Sequence, residues 1–541
     1  MTKKSVGNIS RRTMVQSTAM MVAAPALISR AAAQTTPRWG GTLRYGLSVE
    51  PQRMNQLNTV WMTDATQHLY DRLLTRAPDG SYVPNLATWA LSPDNLAWTF
   101  KLKPGIKFHS GEPYTSAAVK WWFDQAGDPK GFYGFKGSYS SVDSVETPDE
   151  LTAVVKLKHP DAALAFILYT VYSSIINPTV YERLGKDAYG VDTVDGTGPF
   201  RLKEFTPGSK LIIERNDVYA WAPPCVQNQG PAWLDAIESR YIADDPARTA
   251  AVEAGDLDII IQPNLADVER LQQSRELVVK SKPMPGVRVI FFNTETKPWD
   301  DKRVRQAVAH AIEREPIIQK LLFGQGIAAY SLVPPFFKDM YLPDCEKFFP
   351  FNLKSAKDLL TAAGLVDHDA DGMVEFQGKP WEPELLVTAA ADQVALAQVI
   401  QAQLARIGIK IKIVQVDLQT LIAHMHNGDF GALTGGYLWD GPDTILDWWL
   451  FSGNIPSTNR ARVRVRKPRI DSLLEKMRNS ATLAERAAVV RDIQRVFQGD
   501  IAAIIPIYCP LDIYVISKKV HGYEPNLMTL YPRMNDVWLD A

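Results

Sequence analysis

Residues 97–123 constrain the fold more than any other stretch of the sequence. Apolar and polar side chains alternate at the start, which is the pattern of a half-buried strand, and a Pro-Gly turn follows at Pro104. A second short apolar unit leads to His109, and Thr115 then begins a helix whose apolar residues share one face. The stretch therefore predicts a hairpin joined to a helix, and nothing in it predicts catalysis.

The same stretch resembles the signature of the family 5 extracellular solute-binding proteins, which are the dipeptide, oligopeptide and nickel-chelate receptors of bacterial ABC importers. In that family a tryptophan-containing strand leads through Lys-Pro-Gly and Phe-His-x-Gly turns to a Thr-x-x-x-Val helix. Four further motifs resemble the family pattern in the same order along the chain. They are Gly-Thr-Gly-Pro-Phe at 196–200, Arg-Asn-x-x-Tyr at 215–219, Gly-x-x-Asp at 255–258 and Val-Arg-x-Ala at 304–307.

The resemblance implies an α/β protein with a two-lobed periplasmic-binding-protein fold of type II, similar to cluster C, with an extra inserted subdomain. The length agrees, because a chain of 541 residues exceeds what one hydrophobic core usually supports. We expect the first lobe in residues 34–82, 196–283 and 504–541, the inserted subdomain in 83–195 and the second lobe in 284–503. The hinge is expected within about ten residues of Pro283.

Residues 1–33 have the pattern of an export signal. Cations precede an apolar run at 19–28, which is too short to span a bilayer, and three alanines predict cleavage after Ala33. Arg11 and Arg12 resemble the core of a twin-arginine signal, although Met14 and Gln16 depart from that pattern; an ordinary Sec signal is the alternative. No cysteine follows closely, so we expect a freely diffusing periplasmic protein without a lipid anchor.

Charge and cysteine content exclude some functions and leave one question open. The chain has 59 Lys and Arg against 60 Asp and Glu, and the export signal removes only cations, so the mature protein is mildly acidic. Such a balance gives no electrostatic reason to bind nucleic acid. Cys225, Cys345 and Cys509 are widely spaced, which leaves open one disulfide with a free thiol or three buried thiols.

Neither a metal nor a cofactor is predicted. Asp367, Asp369 and Asp371 match the first half of a calcium-binding EF-hand loop, but Gly378 stands where a bidentate Glu is needed. An acidic surface turn is the better interpretation of these residues. His109 has no second ligand at metal spacing, so we expect it to stabilise its turn by a hydrogen bond.

Two loops are candidates for the ligand site. The loop after the first strand contains Asn58 and Trp61, and the carboxyl end of a strand in an open α/β sheet is where ligands bind. Packing is the other interpretation of Trp61. Asp64 and Gln67 predict a capping box that begins a helix through residue 74.

The second candidate loop follows a predicted strand that ends near Tyr437. It contains Trp439, Asp440 and Asp443, so an aromatic wall and a carboxylate would meet a ligand there. The resemblance implies that an acid in this segment holds the α-amino group of a peptide, with Asp440 as first candidate and Asp443 as second. The segment is shorter than in the family, and a helix-capping role for Asp440 is the alternative.

The resulting prediction is a non-enzymatic receptor. It would close two lobes over a small solute, most simply a peptide or peptide-like compound, and deliver it as a monomer to the permease of an ABC importer. An exported hydrolase is the alternative, but the sequence contains neither a G-x-S-x-G nor an H-E-x-x-H motif. The sequence leaves open a dipeptide, a longer peptide, a metal chelate, a glycoside or an opine-like compound.

Overall fold

The computed structural model describes residues 36–51, 53–58, 66–78, 80–131, 133, 136–438, 441–455, 462–525 and 533–540. In these residues the strands are β1 (Thr42–Leu47), β2 (Leu74–Arg76), β3 (Tyr82–Pro84), β4 (Ala87–Leu91), β5 (Ala97–Leu102), β6 (Val142–Asp149), β7 (Thr152–Leu157), β8 (Phe200–Thr206), β9 (Lys210–Arg215), β10 (Ala236–Tyr241), β11 (Ile259–Ile261), β12 (Leu277–Pro283), β13 (Gly286–Phe292), β14 (Gly326–Ala328), β15 (Glu375–Phe376), β16 (Lys379–Pro380), β17 (Glu384–Thr388), β18 (Lys412–Val416), β19 (Ala432–Leu438), β20 (Ile504–Ser517), β21 (Val520–His521) and β22 (Trp538–Leu539).

The α-helices of the described residues are α1 (Ser116–Gly127), α2 (Leu164–Tyr169), α3 (Pro178–Leu184), α4 (Asp245–Glu253), α5 (Val268–Gln272), α6 (Lys302–Ala311), α7 (Arg314–Pro316), α8 (Leu353–Ala362), α9 (Ala391–Ala405), α10 (Leu418–Asn427), α11 (Pro442–Leu450), α12 (Pro468–Arg478) and α13 (Leu483–Val496). None of them combines the length and the apolar character that a membrane span requires. α13 begins with the capping box that the sequence predicts, in which Thr482 and Glu485 each accept a backbone N–H of the other.

One twelve-stranded sheet runs through most of the described chain. Its strands lie in the order β18-β17-β19-β13-β20-β11-β1-β10-β9-β8, and β12 and β14 also pair with β20. The first half of β20 pairs with β13 and β14, and its second half pairs with β11 and β12. A single strand therefore joins the two halves of the sheet.

The prediction of two separate strands at 502–508 and 512–517 is wrong, because β20 is one continuous strand. The two are one strand because the prolines inside it keep their carbonyls engaged. The Pro510 carbonyl accepts a hydrogen bond from the Met284 N–H at 2.9 Å, and the Pro506 carbonyl accepts one from Arg314 Nε at 3.0 Å. Proline removes a donor from a strand, but it does not end the strand where its acceptor is still paired.

Separate apolar cores divide the described chain into two parts. One core takes its residues from 43–259 and 514–537, and a smaller one adds residues of 252–277 and Val515. Two more cores lie entirely within 287–509. We call the part built on the first pair of cores lobe I and the part built on the second pair lobe II.

The chain passes between the lobes at two adjacent points. One lies between β12 and β13, and the other lies inside β20, where Pro283 is paired with Leu511. Two neighbouring strand crossings form the kind of short connection about which lobes can rotate. The position fits a hinge near Pro283, which remains a prediction, as do the domain boundaries.

The strand, the turn and the helix predicted at 97–123 are present, but the predicted hairpin is wrong: β5 pairs with β4 and β7, and the unit at 106–108 forms only an isolated bridge between Lys107 and Pro113. β5 buries Trp98, Phe100 and Leu102 on one face, and it pairs within a separate four-stranded sheet in the order β4-β5-β7-β6. The turn that follows has Gly105 at a φ of +79°, a conformation that favours glycine. α1 begins directly after Thr115, as predicted.

His109 forms a hydrogen bond as predicted, but its side-chain partner lies in a distant hairpin and not in its own turn. Its Nε2 lies 3.1 Å from the Gly198 carbonyl, and its backbone N–H donates to the Gly196 carbonyl at 2.9 Å. Burial lowers the pKa of His109 to about 4. The chain around His68 also packs closely against this hairpin, and a Cβ on Gly198 would lie only 2.2 Å from the His68 carbonyl, so the position requires glycine. The neutral imidazole thus ties the opening unit to the hairpin of β8 and β9.

The helix predicted from Asp64 to residue 74 is wrong. Asp64 lies outside the described residues, and the chain beyond it forms a single 3-10 turn at Thr66–Leu69 before β2. The Leu69 carbonyl, which a helix would bond to the Leu73 N–H, instead accepts from the Gly198 N–H. A tertiary hydrogen bond therefore overrides the local helical pattern.

The three aspartates of the predicted acidic turn lie together, and no disulfide joins the three cysteines in this structure. The carboxylates of Asp367, Asp369 and Asp371 lie within 4.8 Å of one another. They accept hydrogen bonds from their own turn, for example from the Gly372 N–H to Asp367 at 3.0 Å. All three cysteines are free thiols in this structure.

Candidate functional site

A cavity of about 730 Å³ lies where lobe I meets lobe II. Lobe I contributes the hairpin turn between β2 and β3 and one end of α2, while lobe II contributes the loop before residue 340 and the starts of α11 and α13. The described lining residues are Arg76, Pro78, Gly80, Ser81, Tyr82, Ala163, Phe166, Pro283, Pro335, Phe336, Phe337, Lys338, Asp339, Met340, Pro442, Asp443, Leu483, Arg486 and Ala487.

The lining is largely apolar, and it includes three phenylalanines, a tyrosine and four prolines. A mostly apolar hollow with a few fixed polar groups is the usual form of a small-molecule site, and the volume lies within the common range of about 300–1,000 Å³. The cavity also adjoins the crossing strands, because Pro283 belongs to its lining. Rotation of the lobes about that crossing would change the shape of the cavity.

Lobe I and lobe II touch directly at the side of the cavity. The ring of Phe166 on α2 packs against Gly441, the residue before α11, so closely that a Cβ on Gly441 would lie 2.6 Å from the ring. Real Cβ atoms do not approach other atoms this closely, so the contact requires glycine. The structure therefore shows the lobes in contact over the cavity.

The lobe II wall contains a buried ion pair. Arg486 Nε donates to a carboxylate oxygen of Asp443, and both side chains are only 5% exposed. Arg486 also donates to the Met477 carbonyl at 2.8 Å. Burial acts to lower the pKa of Arg486, but the charge and hydrogen bond of Asp443 outweigh it, so the pKa lies above its ordinary value.

The three predicted site residues that the structure describes lie in three different places. Asp443 lines the cavity, but its charge is already paired with Arg486. Tyr437 is buried in the lobe II core, where its hydroxyl donates to the Leu332 carbonyl and its ring packs edge-on against Trp449 at 5.4 Å. Asn58 donates to the Lys186 carbonyl at 3.4 Å and is not part of the described lining.

Trp61, Trp439 and Asp440 lie outside the described residues. The segment that carries Trp439 and Asp440 continues directly into Pro442 and Asp443, which do line the cavity. The prediction of a ligand loop at this place is therefore compatible with the cavity, while the roles of these three side chains remain predictions.

Sequence reasoning missed the lobe I wall and half of the lobe II wall. Pro335, Phe336 and Phe337 form an apolar run in a loop, which is a signal that could have been noticed, because loops usually present polar residues to water. Arg76 gave no such signal. It lies next to a turn like many other arginines, and only the tertiary structure brings it to the cavity.

The sequence matches one protein family along most of its length. The model of the bacterial extracellular solute-binding proteins, family 5 Middle, matches residues 81–457. The chain belongs to this family. This family 5 protein therefore has the solute-binding function predicted from its motifs, and the comparison gives no support to the hydrolase alternative.

Individual relatives of this family 5 protein cover most of both chains. It is 30% identical over 416 residues to a putative ABC transporter peptide-binding protein of Brucella ovis, covering 75% of each chain. It is 27% identical over 486 residues to heme-binding protein A of Haemophilus influenzae, covering 85% of each. Among solved structures, AgaA of A. tumefaciens R10 in complex with agropinic acid is 26% identical with a TM-score of 0.75, covering 93% of this chain and 99% of that one.

Proposed function

We propose that this family 5 protein is the periplasmic receptor of an ABC importer and that its solute is a peptide or peptide-like compound. The observation that carries the proposal is the cavity of about 730 Å³ whose walls come from both lobes, next to the two strand crossings. A solute held there would contact both lobes and favour the closed form over the open one. The closed form would then dock on the permease and release its solute.

The relatives support this class of solute. The Brucella ovis protein is named as peptide-binding and as part of an ABC transporter, and AgaA was solved in complex with agropinic acid. The apolar and aromatic walls suit a compound with a hydrophobic body. We propose that the receptor acts as a monomer and that it catalyses no reaction.

Asp440 is the proposed partner of the solute's ammonium group, with Trp439 and Trp61 as supporting candidates; Tyr437 and Asn58, which bond to the Leu332 and Lys186 carbonyls, are not assigned to the solute. Because Asp443 is already paired with Arg486, Asp440 is the acid of this segment that we assign to a ligand. A charge-assisted bond of this kind contributes on the order of 1.5–3 kcal/mol. Asp440→Asn should therefore weaken calorimetric binding of any peptide that needs a free amino terminus by about 10- to 150-fold, and unchanged affinity would remove Asp440 from the site.

Export remains a proposal of its own. Residues 1–33 would direct the protein through the twin-arginine route, with cleavage after Ala33. Amino-terminal sequencing of periplasmic protein checks the cleavage point. Replacement of Arg11 and Arg12 by lysine should retain the precursor in the cytoplasm, whereas normal export of that variant would favour the Sec alternative.

The deciding experiment is native mass spectrometry of the mature protein purified from periplasm without refolding. A set of peptide-like adducts supports the proposed solute class, and a control sample that has been unfolded and refolded should lose them. A single non-peptide adduct would support the receptor function but contradict the proposal that the solute is a peptide. A protein that carries no adduct and shows no thermal shift with peptide mixtures would contradict the proposed function, because a true ligand must stabilise the form that it binds.

A further inference from the structure

Arg76 is held rigidly at the cavity wall of lobe I. It is the last residue of β2 and is paired with Tyr82 across the hairpin. Its guanidinium carbon lies 5.6 Å from the centre of the Tyr82 ring and 5.7 Å from that of Tyr169. Its Nε donates a hydrogen bond of 2.7 Å to the Gly80 carbonyl. Two aromatic faces and one carbonyl thus fix the position of the guanidinium before any solute arrives.

The turn between β2 and β3 is shaped around this side chain. Gly80 has a φ of +92°, where other residues are strained, and a Cβ there would lie 3.4 Å from Nη2 of Arg76. The backbone therefore approaches the guanidinium on one side and the two tyrosines approach it from others. This arrangement uses Nε and leaves the two terminal nitrogens with no hydrogen bond to any described residue.

No carboxylate neutralises Arg76 in the part of the chain that the structure describes. Arg486, across the same cavity, is paired with Asp443. Asp339, the other acid of the described lining, is exposed and belongs to lobe II. A guanidinium beside an apolar cavity loses hydration when a solute fills the cavity, and this cost falls if the solute brings an anion.

We propose that Arg76 binds a free carboxylate of the solute and thereby selects peptides or peptide-like compounds that carry an acid group. The inference rests on the proposed function, because it deepens the chemistry of the same cavity. The two terminal nitrogens of an arginine match the two oxygens of a carboxylate in geometry, and a fixed guanidinium loses little freedom on binding. The hydrophobic body of the solute would lie against Phe166 and Phe336, which line the cavity.

The test uses two tripeptide libraries that lack Asp and Glu, so that the only carboxylate is the carboxyl terminus. One library has free acids and the other has the same sequences as amides; both keep a free amino terminus. Native mass spectrometry measures how much of each library the mature protein captures. The wild-type protein should capture the acids at least about tenfold better than the amides, since hydrogen bonds to charged groups are worth at least that factor.

Variants assign the preference to the residue. Arg76→Gln should bring the ratio of acids to amides close to one, and Arg76→Lys should give an intermediate ratio, because an ammonium retains the charge but lacks the planar fork. The matched control is Arg183→Gln, which removes the same charge from an exposed position on α3 outside the described lining. It should keep the wild-type ratio. Melting temperatures of all variants identify any that fail to fold. If Arg76→Gln fails to fold, the comparison of the wild-type protein with Arg76→Lys provides the test.

Three results would overturn the assignment of Arg76. They are equal capture of acids and amides by the wild-type protein, a preference for acids that survives Arg76→Gln, and capture of neither library. In the first two cases peptide binding persists and the proposed function stands. In the third case, native mass spectrometry of the periplasmic protein distinguishes two outcomes. A bound compound of another class would leave the receptor function standing, whereas a protein without any bound compound would contradict the proposed function as well.

Discussion

Two arginines line the same cavity from opposite lobes, and the protein treats their charges differently. Arg486 in lobe II is 5% exposed and is bound to the equally buried carboxylate of Asp443. Arg76 in lobe I is only partly buried, and it is held by two tyrosine rings and the Gly80 carbonyl. One charge is satisfied inside the protein, whereas the other is fixed in place and still lacks an anion among the described residues.

The contrast separates structural charge from charge that is available for recognition. A buried arginine without its acid would destabilise the fold, so Arg486 and Asp443 depend on each other. An arginine held by ring faces and one carbonyl keeps its remaining donors for a solute. Lining a cavity is therefore not enough to make a charged residue a ligand partner, and Asp443 is the example on the lobe II wall.

The largest effect is expected for Asp443→Ala, which leaves Arg486 buried without its acid. Loss of one member of a buried ion pair costs about 3–5 kcal/mol, so urea unfolding should show a much lower free energy of unfolding. The double variant Asp443→Leu/Arg486→Met should recover a large part of it, because two apolar side chains of similar volume can replace the pair. A double variant no more stable than Asp443→Ala would show that the pair is not what holds this wall.

Lobe I holds a buried group in its neutral form instead of pairing it, which predicts a pH dependence. Burial lowers the pKa of His109 from 6.5 to about 4, although the Gly198 carbonyl and Asp195 act to raise it and Arg201 also acts to lower it. Between pH 6.5 and 4 the unfolded chain binds the proton and the folded protein does not. Stability is therefore fully present above pH 6.5 and falls toward pH 4, by roughly 3 kcal/mol for this group.

Comparison of the wild-type protein with His109→Gln isolates this contribution. The variant should lose less stability between pH 7 and pH 4 in urea titrations, whatever its stability at pH 7. Asp512 works in the opposite direction, because burial raises its pKa to about 6, but it is present in both proteins and cancels from the difference. Equal pH dependence in the two proteins would contradict a neutral His109 in the fold.

The sequence predicted the parts of the fold that depend on local patterns. The strand, turn and helix at 97–123, the capping box at Thr482 and the family membership all rest on short motifs, and each is confirmed. The helix predicted after Asp64 failed because Gly198, distant in sequence, takes the Leu69 carbonyl that it needs. The pairing of Asp443 with Arg486 and the approach of Arg76 to the cavity join residues far apart in sequence, so no local pattern could reveal them.

A smaller effect is expected at the contact between the lobes. Gly441→Ala places a Cβ 2.6 Å from the Phe166 ring, and overpacking of this kind typically costs about 1–3 kcal/mol. Because the cost falls on the form in which the lobes touch, the variant should shift the protein toward the open form and lower its melting temperature. Phe166→Ala in the same chain should remove the added cost. Gly137→Ala is the matched control, since a Cβ there meets nothing within 4 Å.

The smallest effect on stability is expected for Arg76→Met, and it sharpens the comparison of the two arginines. Cation–π contacts at partly exposed sites are worth about 0.5–1 kcal/mol each, and the methionine side chain can still pack beside Tyr82 and Tyr169. Arg486→Met leaves Asp443 buried without its cation and should cost several times more in urea unfolding. If the two variants lose the same free energy of unfolding, Arg76 is as structural as Arg486. If Arg76→Met keeps nearly full stability yet loses the preference for acids, the charge of Arg76 serves the solute and not the fold.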